Sequence, residues 1–123
     1  MRSLFISSFL LALLALSGCT PREPAPPVVV GGDAKLGARL VQQFQCGACH
    51  MIPDIPAAQG RTGPTLAQFG RRSYIAGSIP NYPDNLMRWI VDPPAMKPGT
   101  TMPAMGVSDV EARHMAAYLA TLR

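Results

Sequence analysis

The prolines and glycines of this chain restrict it to short helices joined by long turns. The 123 residues include 13 prolines and 11 glycines, and both residue types interrupt regular backbone structure. Hydrophobic residues make up 48% of the chain and charged residues only 15%, which excludes a highly charged disordered tail. At this length we expect at most one compact domain.

The first residues have the pattern of an export signal. Arg2 precedes an apolar run over residues 4–16, which is too short to span a bilayer. The run ends in Leu16-Ser17-Gly18-Cys19, which resembles the bacterial lipobox, where the chain is cut before an acylated cysteine. We therefore expect a lipoprotein signal peptide at residues 1–18, and export to the periplasmic or outer face of a bacterial membrane with a lipid anchor on Cys19. The alternative is an ordinary signal peptide with an incidental cysteine.

Residues 19–32 are predicted to form a tether between the lipid and the folded domain. The segment contains four prolines, which favour an extended polyproline conformation. The run Val28-Val29-Val30 has strand character, but no second β-rich run is present to pair with it. The folded domain is therefore expected at residues 33–123.

Three helices are predicted, over residues 33–45, 84–91 and 108–123. Each carries apolar residues at helical spacing, and Ser108 with Glu111 forms a capping box at the start of the last helix. No alternating strand pattern is present, so the predicted fold class is all-α, with three main helices and long Gly/Pro-rich loops. Helices this short bury too little apolar surface to hold such loops, so a group other than side chains must complete the core.

The motif Cys46-Gly47-Ala48-Cys49-His50 indicates what that group is. C-x-x-C-H is the attachment sequence for c-type haem, because two thiols on one turn reach the porphyrin vinyl groups and the adjacent histidine can bind iron. A thioredoxin-like site would need a βαβ pattern, a zinc site would need a fourth ligand, and a disulfide would leave His50 without a role. The motif therefore predicts one covalent haem c held by Cys46, Cys49 and His50.

A second axial ligand from the opposite face would complete the coordination of the iron. Met102 is the first candidate, because Pro103 favours an extended backbone at Met102 and Pro98-Gly99 sets a turn before it. Met105 is the second candidate and His114 the third.

An ordered set of landmarks runs through the domain. They are Gly37, Cys46-x-x-Cys49-His50, Gly63-Pro64-Thr65-Leu66, Pro98-Gly99-Thr100-Thr101-Met102 and Tyr118-Leu119. Together they resemble class I bacterial cytochrome c over residues 32–123, and residues 72–90 are similar to cytochrome c domains associated with terminal oxidases. The resemblance implies that the first and last helices cross closely at Gly37 and Tyr118.

The same resemblance implies roles for individual residues. Met102 would be the distal ligand, and the carbonyl of Pro64 would accept a hydrogen bond from His50, which fixes the imidazole ring. Trp89 would lie beside the axial methionine, and Arg72 would lie near a haem propionate.

Coordination by histidine and methionine leaves no open position on the iron. The expected function is therefore single-electron transfer, with no enzymatic activity and no small-molecule substrate. The resemblance implies that this transfer takes place in a respiratory chain, to or from a terminal oxidase. The expected partners are redox proteins, such as a terminal oxidase or a bc-type complex. Two alternatives are a haem-bearing subunit of another oxidoreductase complex and a haem enzyme or gas sensor with open iron. The net charge of +4 comes from scattered residues without a nucleic-acid motif, so nucleic-acid binding is not expected.

Overall fold

The computed structural model describes residues 25–123, and the predicted signal peptide and Cys19 lie outside them. The described residues form four helices: α1 (Ala34–Gln43), α2 (Pro83–Val91), α3 (Pro93–Met96) and α4 (Asp109–Thr121). Short 3-10 turns occupy Cys46–Ala48 and Phe69–Arg71. An antiparallel ribbon pairs β1 (Tyr74–Ile75) with β2 (Ile79–Pro80).

Helix α1 begins where the sequence predicts because Asp33 caps it. The Oδ1 atom of Asp33 accepts a hydrogen bond from the N–H of Leu36 at 3.0 Å, and this bond lowers the pKa of the carboxyl group. The N–H of Asp33 donates to Nδ1 of His114 on α4, also at 3.0 Å. The helix ends at Gln43, two residues before the predicted end, and Gln45 then takes a left-handed conformation with φ 54°. That residue turns the chain into the first cysteine of the haem-attachment motif.

Helices α1 and α4 cross at Gly37, as expected from the sequence. A Cβ atom on Gly37 would overlap the carbonyl oxygen of His114 and lie 2.9 Å from Cβ of Tyr118. Glycine is therefore required for the two backbones to approach this closely. The crossing buries Leu40 and Val41 of α1 in the core.

Helix α4 begins with the predicted capping box. The Oγ atom of Ser108 accepts from the N–H of Glu111 at 3.4 Å, and Oε2 of Glu111 accepts from the N–H of Ser108 at 2.9 Å. Hydrogen bonds from Ser108, first from its side chain and then from its backbone, lower the pKa of Glu111 below its ordinary value of 4.5. The folded state therefore binds this proton less tightly than the unfolded state. The charged carboxylate stabilises the fold above the unfolded-state pKa, and this contribution is lost as pH falls through the lower folded-state pKa.

The variant Glu111→Gln removes this titration from α4. We expect the wild-type protein to be the more stable at about pH 7, and the difference to shrink as pH falls through the lowered folded-state pKa of Glu111, where the wild-type carboxyl becomes protonated. Thermal unfolding of the two haem-loaded proteins across this range measures the difference. A stability gap that stays constant with pH would contradict a role for the ionised carboxylate.

The all-α prediction is confirmed by the three longer helices, α1, α2 and α4. The sequence analysis does not predict α3 or the ribbon. Helix α2 ends at Val91, as expected, and Oδ1 of the next residue, Asp92, accepts from the N–H of Ala95 at 3.2 Å and so caps α3 directly. The strands have two residues each, which is too short for an alternating pattern to be visible.

One residue of the segment expected to form the tether packs in the core. Val29 is 9% exposed and borders a small cleft together with Phe69 and Leu86. The N–H of Gly32 donates to the carbonyl of Val29 at 3.0 Å, which turns the chain toward α1. None of the helices within residues 25–123 is long and apolar enough to cross a membrane.

Candidate functional site

A cavity of about 450 Å³ lies between α1, α2, α4 and the loops that join them. Its walls are mainly large apolar side chains. They include Val41, Leu66, Phe69, Ile75, Leu86, Ile90, Met115 and Leu119. The cavity is therefore shaped for a large, mostly apolar group, and it lies where the core of such a small domain would otherwise be incomplete.

The two cysteines and the histidine of the attachment motif share one wall of this cavity. The backbone N–H groups of Cys49 and His50 both donate to the carbonyl of Cys46, at 3.3 and 3.0 Å, so the motif forms a single tight turn. Both cysteines are free thiols; Cys46 is half-buried and Cys49 exposed. Burial raises the pKa of the Cys46 thiol, so this thiol is protonated at neutral pH. The turn presents both thiols and the imidazole to the same space.

The imidazole of His50 is held in one orientation and one tautomer. Its Nδ1 atom lies 2.7 Å from the carbonyl oxygen of Pro64, and because a carbonyl only accepts, Nδ1 must carry the hydrogen. In the neutral ring, Nε2 then has the free electron pair that binds a metal. Gly63 lies against the ring, where an added Cβ would be 2.7 Å from Nδ1 and 3.0 Å from Nε2. The Gly63-Pro64 pair therefore both admits the ring and fixes it.

The candidates for a distal ligand separate into two groups. Met102 and Met105 both line the cavity; Met102 is half-buried and Met105 is 45% exposed. His114 is not among the cavity-lining residues, and its Nδ1 accepts the hydrogen bond from Asp33. The structure therefore brings the two methionines to the site and places His114 outside it. Trp89 is half-buried and also lines the cavity.

Arg72 lines the cavity and supports the segment that carries Pro64. Its Nη2 atom donates to the carbonyl oxygens of Thr65 and of Ala67, the latter at 3.1 Å. Its guanidinium carbon lies 5.5 Å from the centroid of the Phe69 ring, within the range of a cation–π contact. The side chain is therefore fixed by backbone and aromatic contacts at the edge of the cavity.

The cavity has further lining residues that the sequence analysis does not predict. Ala76 and Gly77 of the ribbon turn lie at the wall together with Lys97, whose Nζ atom donates to the carbonyl of Ala76 at 2.6 Å. The two bonded residues are 21 positions apart, so their contact depends on the paths of two loops. A local sequence pattern carries no information about such a contact.

Comparison with known proteins identifies the domain. The sequence profile of cytochrome c matches residues 34–123. The chain belongs to the cytochrome c family. The cytochrome is 37% identical over 93 residues to cytochrome c oxidase subunit 2 of Alkalihalophilus pseudofirmus, a match that covers 73% of the chain and 26% of the relative. It is 41% identical over 78 residues to the subunit of the same name from Bacillus sp. strain PS3, with 62% and 22% covered.

A third relative is described as a cytochrome and not as an oxidase subunit. The cytochrome is 31% identical over 105 residues to the cytochrome c-type cyt cy of Rhodobacter capsulatus, which covers 78% of the chain and 52% of the relative. The chain thus spans about a quarter of the oxidase subunits and about half of cyt cy. No solved structure matches the chain significantly.

The residues of the cavity fit a covalent haem c. Two free thiols, an imidazole held through its Nδ1 atom and thioether side chains surround an apolar space, and this is the donor set of a c-type haem. As a member of its family the cytochrome binds haem c covalently, with Cys46 and Cys49 in the attachment positions. When bound, the haem supplies a one-electron Fe(II)/Fe(III) couple. Cytochrome c domains are electron carriers and are generally exported.

Proposed function

We propose that the cytochrome is a membrane-tethered carrier that exchanges single electrons with a terminal oxidase of a respiratory chain. The observation that carries this proposal is the similarity to cytochrome c oxidase subunit 2 of Alkalihalophilus pseudofirmus and of Bacillus sp. strain PS3, at 37% and 41% identity. A domain that also occurs within oxidase subunits supports a role in the same electron-transfer step. The match to cyt cy, a relative that is described as a cytochrome and not as an oxidase subunit, supports a role as an electron carrier.

The proposed haem ligands are His50 on one face and Met102 on the other, with thioethers at Cys46 and Cys49. The hydrogen bond from Nδ1 of His50 to Pro64 supports the proximal assignment, because it keeps the ring fixed and raises its donor strength. The position of Met102 at the cavity wall supports the distal assignment. Two protein ligands would leave no position for a substrate, which favours outer-sphere electron transfer.

Two neighbouring side chains are given supporting roles in this proposal. Trp89 would pack beside the Met102 side of the cavity and exclude water there. Arg72 would balance the charge of a haem propionate, since its guanidinium is always positive and already fixed at the cavity edge.

The lipid anchor is proposed to lie on Cys19, after a signal peptide at residues 1–18. Residues 19–32 would then connect the membrane to the domain at residues 33–123. Since Val29 packs in the core, the part of the tether that precedes the folded domain would end near residue 28. A short tether of this kind keeps the cytochrome at high local concentration near partners in the same membrane.

The anchor is tested by producing the full chain in a bacterial host with c-type haem-attachment machinery. We expect the haem-loaded protein in the membrane fraction and incorporation of labelled fatty acid, and Cys19→Ser is expected to lose the label. The matched control exchanges residues 1–19 for an export signal that is cleaved without lipidation, which should release the cytochrome into the soluble periplasmic fraction. Equal membrane retention of this control, or labelling of Cys19→Ser, would contradict the anchor.

The partner is tested by mixing the reduced cytochrome with membranes of the source bacterium. We expect rapid, cyanide-sensitive oxidation that disappears when the membranes come from a strain without terminal oxidases. Oxidation at equal rates by both kinds of membrane would exclude the oxidase as the direct acceptor.

A further inference from the structure

Two loops meet at the rim of the haem cavity. The ribbon loop, residues 74–80, contributes Ala76 and Gly77 to the cavity wall. The methionine loop, residues 97–106, contributes Lys97 and Met102. The position of Met102 therefore depends on how the methionine loop is held relative to the ribbon loop.

The ribbon loop is fixed at its base by two asparagines. The backbone N–H of Asn81 donates to the carbonyl of Ser73 at 2.9 Å, and its Nδ2 donates to the carbonyl of Arg72 at 2.9 Å. The Nδ2 atom of Asn85 donates to the carbonyl of Pro80 at 3.0 Å. Together with the pairing of β1 and β2, these bonds make the ribbon loop a fixed support.

The methionine loop has mostly local hydrogen bonds. The N–H of Thr100 donates to the carbonyl of Lys97 at 3.1 Å, and the N–H of Met102 donates to Oγ1 of Thr100 at 3.4 Å. The N–H of Lys97 donates to Pro93 at the start of α3. Across residues 25–123, the bond from Nζ of Lys97 to the carbonyl of Ala76 is the one hydrogen bond that joins this loop to an element other than α3.

The acceptor of that bond is set by an unusual backbone conformation. Ala76 has a φ of 49°, in the left-handed region that favours glycine, and Gly77 follows with a φ of 89°. The Lys97 ammonium lies 2.6 Å from the Ala76 oxygen, and a hydrogen bond from a charged donor is stronger than one between neutral groups. Lys97 thus fastens the methionine loop to the turn of the ribbon loop.

We propose that Lys97 is a positioning residue for the distal ligand. By bonding to Ala76 it holds the methionine loop, and with it Met102, against a fixed support, so that the sixth position of the iron stays closed to external ligands. The inference rests on the proposed assignment of Met102 as the distal ligand. It assigns no contact between Lys97 and the haem.

The test measures how fast imidazole displaces the methionine in the oxidised, haem-loaded protein. Lys97→Met keeps the length of the side chain but removes the donor, and we expect imidazole binding to become roughly two- to tenfold faster, as for the loss of one hydrogen bond. Lys97→Arg restores a charged donor and is expected to return the rate to within about twofold of wild type. Amide hydrogen exchange over residues 97–106 should accelerate in Lys97→Met alone.

Lys35 is the matched control, because it is an exposed lysine on α1 far from this loop in the chain. Lys35→Met changes the net charge equally and should leave the rate unchanged. Suppose that the wild type shows the thioether-to-iron absorption band, so that the methionine is bound. The proposal is then overturned if imidazole binds Lys97→Met at the wild-type rate, or if Lys35→Met accelerates binding as much as Lys97→Met does. Absence of that band from the wild type would overturn both this inference and the Met102 assignment, so the two failures are distinguishable.

Discussion

Replacing Met102 by alanine is expected to open the iron of the cytochrome to external ligands. The wild-type reduced protein should ignore carbon monoxide, because both axial positions are taken by side chains, whereas Met102→Ala should bind it fully at low concentration. Loss of the soft thioether should also lower the reduction potential by on the order of 0.1 V or more. Absorption spectra of the reduced proteins with and without carbon monoxide, and a redox titration, measure both effects.

Met105→Ala is the matched control for this experiment. Met105 also lines the cavity and lies in the same loop, but it is 45% exposed, so its loss should leave the low-spin spectrum and the indifference to carbon monoxide unchanged. If Met105→Ala opens the iron and Met102→Ala does not, the distal ligand is Met105. If the wild type itself binds carbon monoxide readily, a carrier with two protein ligands is the wrong description, and a haem enzyme or gas sensor becomes the better one.

The parts of the fold that are predictable from the sequence are those with local causes. Asp33 and Ser108 cap helices through hydrogen bonds from residues three positions later, and such bonds can be predicted from the residue types and their spacing. The attachment motif is equally local, since Cys46 to His50 form one turn. The sequence places the end of α1 two residues too late, because a glutamine such as Gln45 gives no indication that it will take a left-handed conformation.

The parts that are not predictable depend on contacts between distant segments. The placement of Val29 in the core depends on the cleft that Phe69 and Leu86 form with it. The segment around Val29 is rich in proline and by itself predicts a tether. The bond between Lys97 and Ala76 likewise exists because two loops meet at the cavity. The candidate site is a third case. His50, Pro64 and Met102 are distant in the chain, but the family resemblance implies a shared role for them before their positions are known.

Replacing Gly37 by alanine is expected to destabilise the cytochrome strongly, although alanine favours helices. In an isolated helix this change would stabilise by about 1 kcal/mol. In the folded protein the added methyl group would overlap the carbonyl oxygen of His114 and press on Cβ of Tyr118 at 2.9 Å. Backbone atoms of α4 cannot rotate away as a side chain can, so the helices must separate. We expect a net loss of about 3 kcal/mol or more, seen as a fall in melting temperature of roughly 10 °C or more.

Gly99→Ala is the control that separates backbone strain from the effect of the helix contact. An added Cβ at Gly99 meets no atom within 4 Å, but the residue has a φ of 82°, so Gly99→Ala should cost about 1–2 kcal/mol from backbone strain alone. Gly37 lies inside α1 and carries no such strain, so any larger loss there reports the crossing with α4. If Gly37→Ala were as stable as the wild type or more so, helix propensity would outweigh the contact. The two helices would then have to lie further apart, and the close crossing of α1 and α4 would not be a requirement of the fold.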